Sequence, residues 1–192
     1  FARFLAAHNQ PVEALNLLFA LAGEQPQDTA VWRFGAQLAL SRPEFLEVAL
    51  DWTAQAQLHA PQDLLLLQHR AEALTLSGQC EAALALWRQL PAEANPALAA
   101  PRVLCETVRA DNRFSPAPGS EPLIAREFLQ WYRRLVHFGQ RPTIEALNAR
   151  LDRLDAVLPS PARPLAAVVA EALGPSHPTP TPGRVSVPAS PV

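Results

Sequence analysis

The 192-residue sequence predicts an all-α protein, and three observations support this class. Apolar residues recur at helical spacing through most of the chain, prolines and glycines interrupt that pattern at short intervals, and runs of β-branched residues are nearly absent. Hydrophobic residues, mostly Leu and Ala, make up 49% of the chain, which is enough to bury a sizeable core. Because the connections are short, neighbouring helices are expected to be antiparallel and to form a string of helical hairpins.

Apolar stripes and helix-boundary residues define the helices of the first half. The stripes are Ala14, Leu17, Leu18 and Leu21; Phe45, Val48, Ala49, Trp52 and Ala56; Leu67, Ala71 and Leu74; and Ala83, Leu86, Trp87 and Leu90. Prolines at positions 11, 43, 61 and 142 lie where a helix begins or the previous one stops, since the missing N–H does no harm there. Asp28 and Asp63 each follow a proline by two residues, which predicts that they are N-caps.

The second half of the chain predicts six further segments, and the first five are helices and one loop. They are a short helix at 101–110, a loop at 111–119, an amphipathic helix at 123–138, its partner helix at 143–158, and an apolar helix at 162–173. The last segment, residues 174–192, contains six prolines and no apolar periodicity. Because such a composition cannot assemble a core, we expect it to be extended or disordered.

The hairpins repeat along the chain with a period of 34 to 35 residues. The tripeptide Pro26-Gln27-Asp28 recurs as Pro61-Gln62-Asp63, and small residues recur in both helices of each hairpin. These are Ala2, Ala36 and Ala71 in the first helices and Ala14, Ala49 and Ala83 in the second helices. A helix–turn–helix period of this length, with small residues where two helices cross closely, resembles the tetratricopeptide repeat family.

The resemblance covers residues 1–96, as three units at about 1–27, 28–62 and 63–96. The third unit matches best, with Gly78 at its turn and Trp87 in its second helix. The second unit departs from the family pattern where Gly35 and Ala39 replace larger residues. The resemblance implies a right-handed solenoid, in which residues 97–173 are degenerate or capping helices and residues 174–192 a proline-rich tail. The alternative is a generic all-α bundle without true repeats.

Several classes of protein are excluded by charge and motif. The 16 basic residues are all Arg and are balanced by 18 acidic ones, which argues against a nucleic-acid or anionic-membrane binder. No apolar run is long enough to span a bilayer, so we expect no membrane insertion. Glycine-rich phosphate loops and histidines at metal-ligand spacing are absent, so we predict no catalytic residue, cofactor or metal. Cys80 and Cys105 lack CxxC spacing and are expected to be buried free thiols in the cytoplasm, with a single bridge as the alternative.

Arrays of this family bind extended peptides or helices on the concave face of their first helices. The resemblance therefore implies a protein–protein interaction scaffold, not an enzyme, with the exposed groove positions Arg33, Gln37, Gln68, Glu72 and Thr75. These residues lack the basic cluster with which some members capture a terminal carboxylate. A second patch at Trp131, Arg133 and Arg134 predicts a recognition site, unless Trp131 packs inward and both arginines reach water.

Two alternatives from other classes stay open. The chain does not begin with Met, so we interpret it as a fragment or a processed product. It would then be the helical region of a larger enzyme, of the kind found in bacterial glycosyltransferases that carry such repeats. The other alternative is an oligomerising structural module. The sequence does not distinguish between these alternatives, and it leaves the oligomeric state open.

Overall fold

The computed structural model describes residues 1–157 except Ala94 and Asn112, with side chains up to residue 151. Within these residues the chain forms nine α-helices, one short 3-10 helix at Pro43–Phe45, and no strand, which confirms the predicted all-α class. The α-helices are α1 (Ala2–Ala7), α2 (Pro11–Glu24), α3 (Thr29–Ala39), α4 (Leu46–His59), α5 (Leu64–Leu76), α6 (Cys80–Trp87), α7 (Pro96–Arg109), α8 (Glu121–His137) and α9 (Arg141–Val157). The helix predicted at 162–173 and the tail at 174–192 lie outside the described residues.

The helices pack in the order of the chain. Each helix contacts the helices that precede and follow it, and α3 also contacts α5 while α7 contacts α9. The small residues Ala14, Ala36, Ala49, Ala71 and Ala83 at the repeat positions are all fully buried. Alanine at such a position lets two helices approach closely, and larger apolar residues fill the space on either side.

Local capping residues set the helix boundaries that the sequence predicts. The Asp28 carboxylate accepts a hydrogen bond from the backbone N–H of Ala30 at 2.9 Å. The Asp63 carboxylate accepts from the N–H groups of Leu65 and Leu66 at 3.1 and 3.2 Å. Both aspartates are therefore the N-caps that were predicted, of α3 and α5 respectively.

The second half of the chain corrects one helix boundary. Helix α7 begins at Pro96, not at Pro101, because the Asn95 side chain caps it by accepting from the N–H of Ala97 at 3.1 Å. Pro101 lies inside α7 as a buried residue, although proline usually marks a helix end. Helices α8 and α9 are present as predicted, and each begins two residues earlier.

A close contact between α3 and α4 explains why the sequence has glycine at position 35. A Cβ atom added at Gly35 would lie 2.2 Å from Cζ2 of Trp52, so no larger residue fits. The Trp52 indole is fully buried, and its N–H donates to the backbone carbonyl of Trp32 at 2.8 Å. The sequence therefore departs from the repeat pattern at Gly35 because the Trp52 ring occupies the space that a larger side chain would need.

A buried carboxylate holds the segment between α7 and α8. Glu106 is only 2% exposed, and its Oε2 accepts from the backbone N–H groups of Arg113 and Phe114, both at 2.8 Å. Its Oε1 lies 3.3 Å from Nε of Arg102 and 3.8 Å from Nε of Arg88. Two guanidinium groups and two amides thus compensate the burial of this charge.

We predict that Gly35→Ala destabilises the protein by about 1–3 kcal/mol, because the added methyl group overpacks the contact with Trp52. The matched control is Gly23→Ala, since no heavy atom lies within 4 Å of a Cβ at this helical glycine. The control should stabilise the protein by roughly 0.5–1 kcal/mol. Urea denaturation measures both, and equal effects of the two substitutions would contradict the Gly35 contact.

We predict that Glu106→Ala lowers the free energy of unfolding by about 3–5 kcal/mol, because it leaves buried donors without an acceptor. The control is Glu81→Ala, which removes an exposed glutamate paired with Arg109 at 3.1 Å. Such an exposed pair should contribute less than about 1 kcal/mol. A Glu106→Ala effect as small as that of the control, measured by urea denaturation, would show that the carboxylate does not order the segment.

Candidate functional site

A groove between α3 and α5, open to solvent, brings together three of the five predicted groove residues. The cavity has a volume of about 490 Å³ and includes Arg33, Gln37 and Glu72. Arg3 and Ala30 also line it, together with Phe34, Leu65 and His69, none of which the sequence analysis identified. The helical spacing of His69, three residues before Glu72, is the signal that could have found it. We call this surface the α3–α5 groove.

Glu72 connects the α3–α5 groove with the second predicted patch. Its Oε1 accepts from the Gln68 amide at 2.9 Å, and its Oε2 lies 3.5 Å from Nη2 of Arg134 on α8. From the sequence alone, Glu72 and Arg134 belong to two separate predicted sites. In the structure the two sites meet, and the polar surface continues from α3 across α5 to α8.

Thr75 does not belong to this surface, so the prediction that it is exposed in the groove is wrong. Its side chain is 0% exposed, and its hydroxyl donates to the carbonyl of Ala71 at 2.8 Å. The same oxygen accepts from the Trp87 indole N–H at 2.9 Å and lies 3.7 Å from Sγ of Cys105. Thr75 therefore satisfies a buried tryptophan where α5 packs against α6.

In the second patch, the tryptophan packs inward and one arginine is exposed. Trp131 is only 6% exposed and meets Trp87 edge to face, with ring centroids 5.9 Å apart. The guanidinium of Arg134 lies 4.4 Å from the centroid of the Trp131 ring, which places a cation over the aromatic face. Arg133 is exposed to solvent. At this patch Arg133 is exposed, Arg134 is partly exposed, and the Trp131 ring packs against the guanidinium of Arg134.

Arg33 is held in place by an ion pair with the N-cap of α5. Its Nη2 lies 2.6 Å from Oδ2 of Asp63, and its Nε donates to the same oxygen at 2.9 Å. Burial alone would raise the pKa of Asp63, but the hydrogen bonds from Arg33 and from the Leu66 and Leu65 amides outweigh it and lower the pKa. Arg33 is therefore both a groove residue and a link between α3 and α5.

His69 is the least satisfied polar group of the α3–α5 groove. Its Nδ1 is buried and has no hydrogen-bond partner within the part of the chain that the structure describes. Burial lowers the pKa of His69, and the charge of Arg33 adds to this, while Glu72 and Asp63 act in the opposite direction. The imidazole is therefore neutral near pH 7 and contributes shape and hydrogen bonding to the groove rather than charge.

The cysteines and the possible metal ligands of the described residues lie outside this surface or are scattered over it. Cys80 and Cys105 are both buried free thiols, as expected, and the hydrogen bond with the Cys80 thiol, together with burial, raises the pKa of Cys105. Among the described residues, no group of three or more His, Cys, Asp or Glu side chains is arranged to hold a metal ion. None of the described helices is long and apolar enough to cross a membrane.

Comparisons of the chain with protein-family models, with curated proteins and with solved structures gave no match. Family membership is therefore not shown. The residues that carry an inference about binding are those that the structure brings to one surface: Arg33, Gln37, Gln68, Glu72 and Arg134.

We predict that the Arg33–Asp63 pair contributes about 0.5–1 kcal/mol near neutral pH and less in acid. The pKa of Asp63 is lower in the folded chain than in the unfolded chain, so its ionisation stabilises the fold above the unfolded pKa. That contribution is lost as the pH falls through the lower, folded pKa.

The measurement is the difference in unfolding free energy between the wild type and Arg33→Ala, at neutral pH and then below about pH 4. Arg133→Ala, which removes an exposed arginine, is the control and should have little effect at either pH. A difference for Arg33→Ala that does not shrink in acid would contradict the role given to Asp63.

Proposed function

We propose that the chain is a tetratricopeptide-like helical array that binds an extended peptide or a helical segment of a partner protein on the surface formed by α3, α5 and α8. Two features support the array. The alanines that recur every 34 to 35 residues are buried where helices cross, and the first helices of successive units, α3 and α5, contact each other. Stacking of this kind aligns first helices side by side and leaves one of their faces for ligands.

The observation that carries the proposal is that polar side chains on this surface hold one another in position. Arg33 is bonded to Asp63, and Glu72 is bonded to both Gln68 and Arg134. These groups project from helices rather than from loops, so they lose little conformational freedom when a ligand binds. Fixed hydrogen-bonding groups along an open groove suit the recognition of a polypeptide backbone.

The chemistry of the α3–α5 groove favours a ligand of mixed character. Arg3 and Arg33 bring positive charge to it, while Glu72 brings negative charge. The rings and methyl groups of Phe34 and Leu65 lie between them, and Leu65 is exposed although it is apolar. We therefore expect a segment that places an apolar side chain against Phe34 and Leu65 and that satisfies the flanking charges with polar groups.

We propose binding rather than catalysis as the role of these residues. A catalytic site needs a nucleophile, an acid or a base that can reach a substrate. The two thiols are buried. The carboxylate of Asp63 is paired with Arg33, and that of Glu72 contacts Gln68 and Arg134. These groups are arranged to position one another, which is what a binding surface requires.

Substitution of Arg33 would not test peptide binding alone, because Arg33→Glu would also repel the N-cap Asp63. A pair of other groove residues avoids this problem. Ala30 and Gln37 line the groove, are exposed, and lie seven residues apart on α3. The variant Ala30→Glu with Gln37→Glu adds two negative charges there. Ala82 and Gln89 have the same residue types, spacing and exposure, so Ala82→Glu with Gln89→Glu is the matched control.

We predict that linear peptides selected on the wild-type chain from a phage-displayed library bind the groove variant at least about tenfold more weakly, a change of ~1.4 kcal/mol. Their affinity for the control variant should be unchanged, and all three proteins should have the same helical circular dichroism. Fluorescence polarisation with the labelled peptides measures the dissociation constants. Equal binding to the groove and control variants would refute recognition at the α3–α5 groove.

A further inference from the structure

A second cavity, lined mainly by aromatic and apolar groups, lies between α2 and α4. It has a volume of about 420 Å³ and is lined by Phe19 of α2, Trp32 of α3, and Trp52 and His59 of α4, among others. Phe19 meets Trp52 edge to face at 4.6 Å between centroids, and Trp32 stacks on His59 at 5.2 Å. Phe19 remains 49% exposed. We call this cavity the aromatic cleft; it shares only α3 with the α3–α5 groove.

The hydrogen bonds around the aromatic cleft define what can occupy it. The indole N–H of Trp32 donates to the carbonyl of Pro26, and that of Trp52 donates to the carbonyl of Trp32, both at 2.8 Å. Neither donor is available to a ligand. The polar side chains that line the cleft near solvent are Asp51, Gln55 and His59, all exposed. A matching ligand is therefore apolar, makes few hydrogen bonds, and carries a positive charge near Asp51.

The cleft also has space that the fold does not fill. Gly23 lines it, and a Cβ atom added there would have no heavy atom within 4 Å. Gly23 lies within helix α2, where glycine is less favourable than alanine. A Cβ atom at this position therefore meets no clash, and we expect a larger side chain there to occupy part of the open cleft.

The chain itself contains a segment with the chemistry that the cleft requires. Residues 174–192 include six prolines and no Asp or Glu, and their one charged residue is Arg184. Proline-rich segments dock into aromatic-lined grooves, and their stiffness keeps the entropic cost of docking low. The alternating run Pro178, Pro180 and Pro182 supplies apolar rings, and Arg184, two residues later, supplies a positive charge complementary to Asp51.

The chain is long enough for this segment to reach the cleft. With the predicted helix at 162–173 and the other residues extended, the stretch from 157 to 178 spans about 50 Å, which exceeds the ~40 Å diameter expected for a compact domain of this size. Because the segment is covalently joined to the rest of the chain, its effective concentration at the cleft is on the order of millimolar, so a weak contact suffices. We propose that residues 178–184 occupy the aromatic cleft of the same chain.

The first arm of the test uses the full chain labelled with ¹⁵N, in which Trp32, Trp52, Trp87 and Trp131 each give an indole N–H signal. Replacement of Pro178, Pro180 and Pro182 by Ala should shift the signals of the two cleft tryptophans, Trp32 and Trp52. The signals of Trp87 and Trp131, which pack against each other, should stay in place. An unchanged position of all four signals would overturn the proposal.

The second arm blocks the cleft and observes the segment. Gly23→Leu fills the open space, so the amide signals of Thr179, Thr181 and Arg184 should move to their positions in a free synthetic peptide of residues 174–192. Gly23→Ala, which is too short to fill the cleft, should leave them as in the wild type.

Two results of this arm would overturn the proposal. One is that the three amides of the wild-type chain already match those of the free peptide. The other is that their positions depend on protein concentration, since this would mean that the segment of a second copy occupies the cleft.

Discussion

The close contact between Gly35 and Trp52 is the constraint on which the first half of the structure depends. Because α3 has no side chain at position 35, the Trp52 ring of α4 lies directly against it and donates to the backbone of Trp32. Trp52 in turn contacts Phe19 on α2, so one ring joins three consecutive helices. This packing turns the other face of α3, with Arg33 and Gln37, toward solvent, and it also forms one wall of the aromatic cleft.

The polar contacts between non-adjacent helices follow from the same packing. Once α3 and α5 are in contact, Arg33 reaches the carboxylate that caps α5, and the capping residue serves two helices. Glu72 on α5 likewise meets Arg134, which rests on the Trp131 ring of α8. Individual pairs of this exposure stabilise a fold only slightly. Their consequence is positional, because they fix the side chains that a ligand would meet.

Local chemistry explains which features could be predicted from the sequence. The all-α class, the Asp28 and Asp63 caps and the turn at Gly78, whose φ is 81°, follow from periodicity and residue type. The positions Arg33, Gln37, Gln68 and Glu72 were implied by the resemblance to the repeat family, and the structure places them on or beside one surface of α3 and α5. The burial of Thr75, the position of Pro101 inside α7 and the contact between Glu72 and Arg134 depend on partners distant in the chain, which one sequence does not reveal.

We propose that a partner polypeptide binds on the surface of α3, α5 and α8. The most direct test is to titrate a peptide selected on the wild-type chain into the ¹⁵N-labelled protein and to map which amide signals move. We predict that the largest shifts of the amide signals fall on α3, α5 and α8, around Gln37, Gln68, Glu72 and Arg134. Shifts confined to α2, α4 and α6, with these four residues unmoved, would contradict it.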